Sequence, residues 1–282
     1  MKNKILLLGA TGMAGHMIYY YLRNTNKYDI RNVTYRLPLT PDSIILDVTN
    51  LDAIQNVIYE EKPDIIINCI GLLIKEANKF PDKAVFLNAY FPQFLREKSD
   101  SIGCRLIHIS TDCVFSGKKG KYKEEDFRDA DDIYGRSKAL GEIVNTKDLT
   151  IRTSIIGPEL KKNGEGLFSW FIKQKGEIKG YTAAFWGGVT TLELAKAIDA
   201  AIEDKIVGLV HLTNGIRISK YDLLTLIKVI WDKQDIIIKP CEDYNIDKSL
   251  VRSERFNYIV PSYFDMLKEL HIWMLKNNLY AN

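Results

Sequence analysis

The sequence predicts an α/β protein: a doubly wound parallel sheet with a smaller, interleaved C-terminal lobe. Three observations carry that expectation. Short apolar runs alternate with amphipathic stretches through the first half, a glycine-rich turn joins the first run to the first amphipathic stretch, and the alternation loosens after about residue 150. Strands separated by helices of ~10–15 residues form βαβ units, which pack as a parallel sheet covered on both faces.

Each element follows from its residues. Residues 4–10 (KILLLGA) read as a buried strand and 14–26 (AGHMIYYYLRNTN) as a helix with Met17, Tyr20 and Tyr21 on one side. Strands are expected at 30–36 (IRNVTYR) and 43–50 (SIILDVTN), then a helix at 51–63 ended by Pro63. DIIINCIG (64–71) is a fourth strand whose apolar run is interrupted by Asn68; a helical stretch (82–103) and the strand CRLIHISTD (104–112) follow. Beyond these, IRTSIIG (151–157) is a strand, ELKKNGEG a polar loop, 191–206 a helix, GLVHLTN (208–214) a strand and 219–234 a helix. Residues 236–282 read as irregular up to a closing helix at 261–278. The expected organisation is a Rossmann-like dinucleotide-binding domain at 1–157, rejoined by 189–208, with 158–282 mainly a substrate lobe.

Composition narrows the function. Apolar residues make up 46% and charged residues 27%, an ordinary globular balance. With 39 Lys and Arg against 36 Asp and Glu the net charge is +3, too even for a protein whose affinity comes from neutralising many phosphates, so no nucleic-acid partner is expected. No apolar run approaches the ~20 residues of a membrane span, and Ile5 to Leu8 is shorter than a secretory segment of ~7–15, so no membrane partner is expected. Cys69, Cys104, Cys113 and Cys241 form no CxxC pair and have no companion histidines, which points to a reducing cytoplasm and no metal.

Three motifs carry chemistry. Gly9-Ala10-Thr11-Gly12-Met13-Ala14-Gly15 lies at the first strand–helix junction, where glycines permit close backbone approach and a helix N-terminus favours a pyrophosphate. The second strand ends Val33-Thr34-Tyr35-Arg36 without the carboxylate that accepts from NAD ribose hydroxyls; Arg36 is placed either to hold a 2′-phosphate or as a solvated charge. Asp47 ends its strand where it can accept from an adenine amino group, or stands there as a plain strand-end acid. The third motif is Tyr134-Gly135-Arg136-Ser137-Lys138, preceded by Ser110-Thr111-Asp112 at a strand end. Positions i and i+4 share a helix face, so Tyr134 and Lys138 point the same way. A neighbouring ammonium is then expected to lower a phenol pKa of ~10 into the range of a general acid, with Thr111 orienting a carbonyl oxygen.

GATGMAGH, LDVTN, NCIG, FLNAYFPQFL, STDCVFSG, YGRSKALGE and IRTSIIGPE occur in order across residues 5–160. Together they resemble the short-chain dehydrogenase/reductase superfamily in its extended, nucleotide-sugar-modifying branch, within it the dTDP-4-dehydrorhamnose reductases and related 4-keto-sugar reductases. The resemblance implies an NADPH-dependent reductase of a nucleotide-activated 4-keto-6-deoxy sugar, in surface polysaccharide or deoxysugar biosynthesis. It implies catalytic roles for Thr111, Tyr134 and Lys138. It implies a cofactor site of Gly9, Thr11, Gly12, Met13, Gly15, Arg36, Asp47, Val48, Cys69, Ile70, Gly71, Asn88, Tyr134 and Lys138. Substrate contacts are expected from Thr111, Asp112, Cys113, Arg152, Trp186 and Arg255, and this branch often forms homodimers. Cys113 stands where these reductases often carry an aromatic residue, and no proline precedes the Tyr134 helix. The Thr-Asp-Glu pattern of dehydratases is absent, because Cys113 follows Asp112. The alternatives are an epimerase, against which the NADP-like Arg36 leans, and a non-catalytic NADP-binding regulatory subunit.

In the lobe, Trp170, Phe171, Phe185 and Trp186 either stack on a ligand or fill a core. Lys161, Lys162, Lys173, Lys175, Arg252 and Arg255 either meet a diphosphate or are solvated charges.

Overall fold

The computed structural model describes residues 2–161, 164–277 and 280; Lys162 and Asn278, both named in the sequence expectations, lie outside them. In chain order the first part runs β1 (Asn3–Leu8), α1 (Met13–Thr25), β2 (Tyr28–Thr34), β3 (Ile44–Ile45), α2 (Leu51–Glu61) and β4 (Ile65–Asn68). It continues through α3 (Ile74–Lys79), α4 (Pro81–Ala84), a π-helical turn (Val85–Tyr90), α5 (Phe91–Ser101), β5 (Arg105–Ile109), α6 (Ile133–Leu140) and β6 (Leu149–Arg152). The remainder comprises β7 (Ile155–Ile156), α7 (Leu167–Lys173), β8 (Gly176–Tyr181), β9 (Ala184–Trp186), β10 (Val189–Thr190), α8 (Thr191–Glu203) and β11 (Gly208–His211). It closes with β12 (Ile218–Ser219), α9 (Lys220–Ile230), β13 (Ile236–Cys241), β14 (Ile246–Asp247) and α10 (Tyr263–Asn277).

The central sheet has seven strands in the order β3-β2-β1-β4-β5-β6-β11, every neighbouring pair parallel. This is the doubly wound Rossmann-like arrangement. Central strands are apolar on both sides because helices cover both faces: Ile5 and Leu7 enter one core with α1 and α8, while Leu6 and Leu8 enter a second with Ile54, Phe91 and Leu95. Strand order reverses between β1 and β4, and ligands of such sheets bind beyond the carboxyl ends of the strands at that switch point.

Three departures from expectation have physical reasons. The strand foreseen at 151–157 is broken, because Thr153 bonds through its hydroxyl to the Leu212 carbonyl and the chain then leaves for the lobe as β7. The stretch after Ile236 is irregular only in part: residues 248–262 form no helix or strand, while β14 pairs with β9, and β13 pairs in parallel with β8. Pro240 interrupts its apolar run in the sequence and is tolerated because this two-stranded sheet leaves it an unpaired edge. Finally, β11 pairs with β6, so the chain's return to the sheet runs to His211, past residue 208. Among the described residues no helix is long and apolar enough to cross a membrane.

Candidate active site

The turn after β1 is shaped by its glycines. Gly9 adopts φ +79°, the left-handed region, while its own and Ala10's N–H both donate to the Val33 carbonyl. A Cβ at Gly9 would sit 2.9 Å from Ile70 Cγ1, and one at Gly15 would run into the Gly9 carbonyl oxygen. Gly12 caps α1 in an extended conformation with no side-chain cap, so the first-turn N–H groups face outward from the carboxyl edge of the sheet. Met13 reaches across to Gly166 at the start of α7, and Thr11 is half-buried beside it. His16, 0% exposed, spends its ring on the Gly12 carbonyl (2.7 Å) and the Tyr280 hydroxyl (2.6 Å), a structural role.

Across the switch point, Cys69, Ile70 and Gly71 leave the end of β4. A Cβ at Gly71 would lie 3.9 Å from Lys138 Nζ, so this loop runs past the lysine. Asn88, expected among the cofactor contacts, is engaged within the protein. Its Oδ1 accepts from Leu72 N–H (2.8 Å), and its Nδ2 donates to the Leu72 carbonyl (3.2 Å) and Ser137 Oγ (3.1 Å). It sits in the π-helical turn, a distortion that recurs at functional sites, and ties the loop to α6.

Tyr134 and Lys138 lie on α6, whose N-cap Asp132 accepts from Gly135 N–H at 2.8 Å. A Cβ at Gly135 would run into the Cys113 carbonyl oxygen, so the helix start presses on the segment after β5 and brings Tyr134 against Cys113 and Thr111. Thr111 accepts from Cys113 N–H (3.1 Å) and donates to Asp112 (3.1 Å). All three motifs therefore meet at one edge of the sheet. Gly135→Ala should consequently lower any turnover by about tenfold or more with little loss of secondary structure; circular dichroism with a rate assay checks both.

The electrostatics correct one expectation. Burial, followed by the neighbouring Cys113, pushes the Tyr134 phenol above its ordinary value, with a hydrogen bond to Thr111 opposing. Lys138 is not what governs it: the ammonium is turned to the Ile109 carbonyl (2.6 Å) and towards His108 Nε2 (3.4 Å). Burial in turn lowers Lys138 to about 8, with attraction to Glu142 opposing. Sharing a helix face does not settle where a flexible ammonium points.

Three expected substrate contacts are also corrected. Arg152 is 2% exposed and fully engaged: it pairs bidentately with Glu142 (2.6 and 2.7 Å) and donates to the Glu124 carbonyl (3.0 Å). Trp186 packs in the core against Tyr263 and donates to Ser154 Oγ at 2.8 Å. Arg255 is exposed, with its guanidinium beside Gly208 at the amino end of β11, the opposite edge of the sheet from Tyr134. Of the others, Asp112 is buried and Cys113 half-buried at the site. Val48 is core, while Asp47, exposed, accepts from Thr49 N–H (3.0 Å) and hydroxyl (2.8 Å). Arg36 lies two residues beyond β2, exposed, its guanidinium 4.7 Å from the Tyr35 ring centre.

Residues 2–255 match the family described as RmlD substrate binding domain. The chain belongs to this family. It is similar to dTDP-4-dehydrorhamnose reductase of Aggregatibacter actinomycetemcomitans, 30% identical over 232 residues that span 78% of this chain and 76% of that protein. A solved dTDP-4-dehydrorhamnose reductase of Bacillus anthracis, in complex with NADP, aligns with TM-score 0.82 at 26% identity, covering 97% of this chain and 100% of that one. Methionine adenosyltransferase 2 subunit beta of Bos taurus is 24% identical over 256 residues, 86% of this chain and 76% of that protein.

Within this RmlD-type fold, sequence reasoning passed over several residues at the site. Glu142, just past α6, is buried and gathers Ser110 (2.7 Å), Arg152 and Arg128 (3.0 Å) behind the Tyr134 helix. Lys248, after β14, reaches Cys113 and lies near Asp112. Asn68 and His108 are polar, 0% exposed and on adjacent central strands. The last two carried a signal: a polar side chain in a strand buried on both faces must find an internal partner.

Proposed function

We propose that this protein is an NADPH-dependent reductase of a dTDP-activated 4-keto-6-deoxy sugar in deoxysugar or surface-polysaccharide biosynthesis. The observation that carries the reading is Tyr134 hydrogen-bonded to Thr111 after β5, with Lys138 one turn further along α6 beside Gly71, in the loop whose Ile70 lies against Gly9. The residues there fit a dinucleotide: the cradle that a Cβ at Gly9 or Gly15 would fill, and an α1 N-terminus without a side-chain cap. Gly9, Thr11, Gly12, Met13 and Gly15 would hold the pyrophosphate, Asp47 and Val48 the adenine edge, and Arg36 the 2′-phosphate. Cys69, Ile70 and Gly71 would border the nicotinamide. When bound, the cofactor supplies a hydride to the keto carbon.

The chain's own part is to bind, orient and protonate. Thr111 would turn its single hydroxyl hydrogen from Asp112 to the keto oxygen and orient that oxygen towards Tyr134. As the carbon gains its new C–H bond, the C=O π electrons move to oxygen, and that oxygen takes the Tyr134 proton. A phenol raised by burial is fully protonated at neutral pH, the form a donor needs. Lys138, one helical turn from Tyr134 and donating to the Ile109 carbonyl, would favour the phenolate left behind while it carries its proton. Loss of nicotinamide absorbance on adding dTDP-4-keto-6-deoxyhexose to protein and NADPH tests the reading, with UDP, GDP and CDP sugars for comparison. Oxidation with the dTDP sugar is expected. Tight NADPH binding without oxidation by any of them would instead favour a non-catalytic nucleotide-binding subunit.

Arg36 gives a separate prediction. Arg36→Ala should weaken NADPH by about tenfold or more, since a charge-assisted phosphate contact is lost, and leave NADH within about twofold. Fluorescence titration with both nucleotides measures this; equal weakening would remove the 2′-phosphate role.

A further inference from the structure

Asn68 ends β4 and His108 lies directly opposite it on β5; both side chains are 0% exposed. The Asn68 amide has one orientation, because its Oδ1 accepts from the Ile70 N–H at 3.0 Å. Its Nδ2, which can only donate, is therefore the atom 3.2 Å from His108 Nδ1. A neutral imidazole that accepts at Nδ1 carries its hydrogen on Nε2. That nitrogen lies 3.4 Å from Lys138 Nζ. Imidazolium is disfavoured here: burial first, and Lys138 second, hold His108 well below its ordinary value. Lys138 thus faces an N–H. An amine lone pair can accept it, whereas an ammonium would oppose hydrogen to hydrogen.

We propose that Asn68 and His108 act as a positioning pair for Lys138: by holding the imidazole hydrogen on Nε2 they present a donor to the lysine nitrogen and set how much of it is charged beside Tyr134. The remaining groups facing Lys138 act the other way. The Ile109 carbonyl accepts from it at 2.6 Å, and Glu142 and Cys69 attract the ammonium. The lowering of Lys138 to about 8, with burial as the largest cause, agrees in direction. Burial is the larger cause of that lowering, and the pair adds to it through the Nε2–H it presents, so that the lysine can hold or release a proton within turnover. This consequence for turnover rests on the reductase reading; the hydrogen-bond assignment does not.

Nitrogen NMR of the intact protein, labelled with 15N-histidine and 15N-lysine, tests the proposal directly. His108, assigned with His108→Gln, is expected to show an unprotonated Nδ1 and a protonated Nε2 at neutral pH. The opposite tautomer or an imidazolium would overturn the proposal. In Asn68→Asp the new carboxylate accepts from Nδ1–H, so the tautomer should switch and the Lys138 midpoint rise by about one pH unit or more. A switched tautomer with an unmoved midpoint would overturn it as well; if that variant does not fold, the tautomer in the native protein decides. Under the reductase reading, the alkaline fall of kcat/KM near pH 8 moves up with the midpoint in Asn68→Asp. Failure of every nucleotide sugar to oxidise NADPH, with the tautomer as expected, would reject the reductase and leave the pair standing.

Discussion

Tyr134→Phe is expected to lower kcat about a thousandfold while leaving NADPH affinity within about twofold. Positioned proton transfer contributes ~10²–10⁴ to a rate, and the Tyr134 phenol, protonated at neutral pH and pushed further up by burial, bears the proton beside Thr111. Phenylalanine preserves the ring that packs against Ala77, Ala84 and Cys113, so the helix and its cap on Asp132 should survive. Kinetics and nucleotide titration on the same preparation separate the two effects. Turnover within tenfold of the native protein would assign the proton to another group.

The largest stability effect is expected at Arg152. Its guanidinium and the Glu142 carboxylate form a buried bidentate pair, with Ser110 and Arg128 completing the carboxylate's partners and the Phe115 ring 5.1 Å from the guanidinium. Burial alone would raise Glu142, but these donors together hold its pKa below the usual carboxylate range. Arg152→Met removes the main counter-charge and should destabilise the fold by about 3 kcal/mol, because the buried carboxylate keeps only Ser110 and the exposed Arg128 as partners. Glu142→Gln in that background should recover part of the loss. Urea denaturation of the three variants measures both; an Arg152→Met protein as stable as the native one would show the pair to be dispensable. The same cluster bears on acid stability. His211 accepts from Arg152 at 3.2 Å, and burial, with Arg152 next, lowers it to about 4. Its unfolded value is near ~6.5, so the unfolded chain binds more protons between those limits, and this contribution to stability declines as pH falls from about 6.5 towards 4.

Most of the sheet was legible because its signals are local. Ile5 to Leu8 and Ile65 to Ile67 are apolar on both strand faces, and the glycine turn announces the helix behind it. The meeting of Thr111 with Tyr134 was legible too, since strand ends of a parallel sheet share one edge and α6 must pass it. What sequence could not supply is the path of the chain outside that sheet. Arg152 ends a strand as a substrate ligand would, yet its partner Glu142 turns it inward. Trp186 and Arg255 depend on where the lobe crosses the sheet, which places one in the core and the other at the far edge. The direction of the Lys138 ammonium is decided by Ile109 and His108 on a different element.

The claim on which the rest depends is that the hydride reaches a sugar keto carbon held beside Tyr134. Mass spectrometry of the sugar product after one turnover with NADPH deuterated at nicotinamide position 4 on the transferred face measures it. One deuterium bound to carbon in the reduced sugar is the predicted result. Oxidised cofactor with no label in the sugar, or a dTDP sugar recovered unreduced from saturated protein, would contradict it.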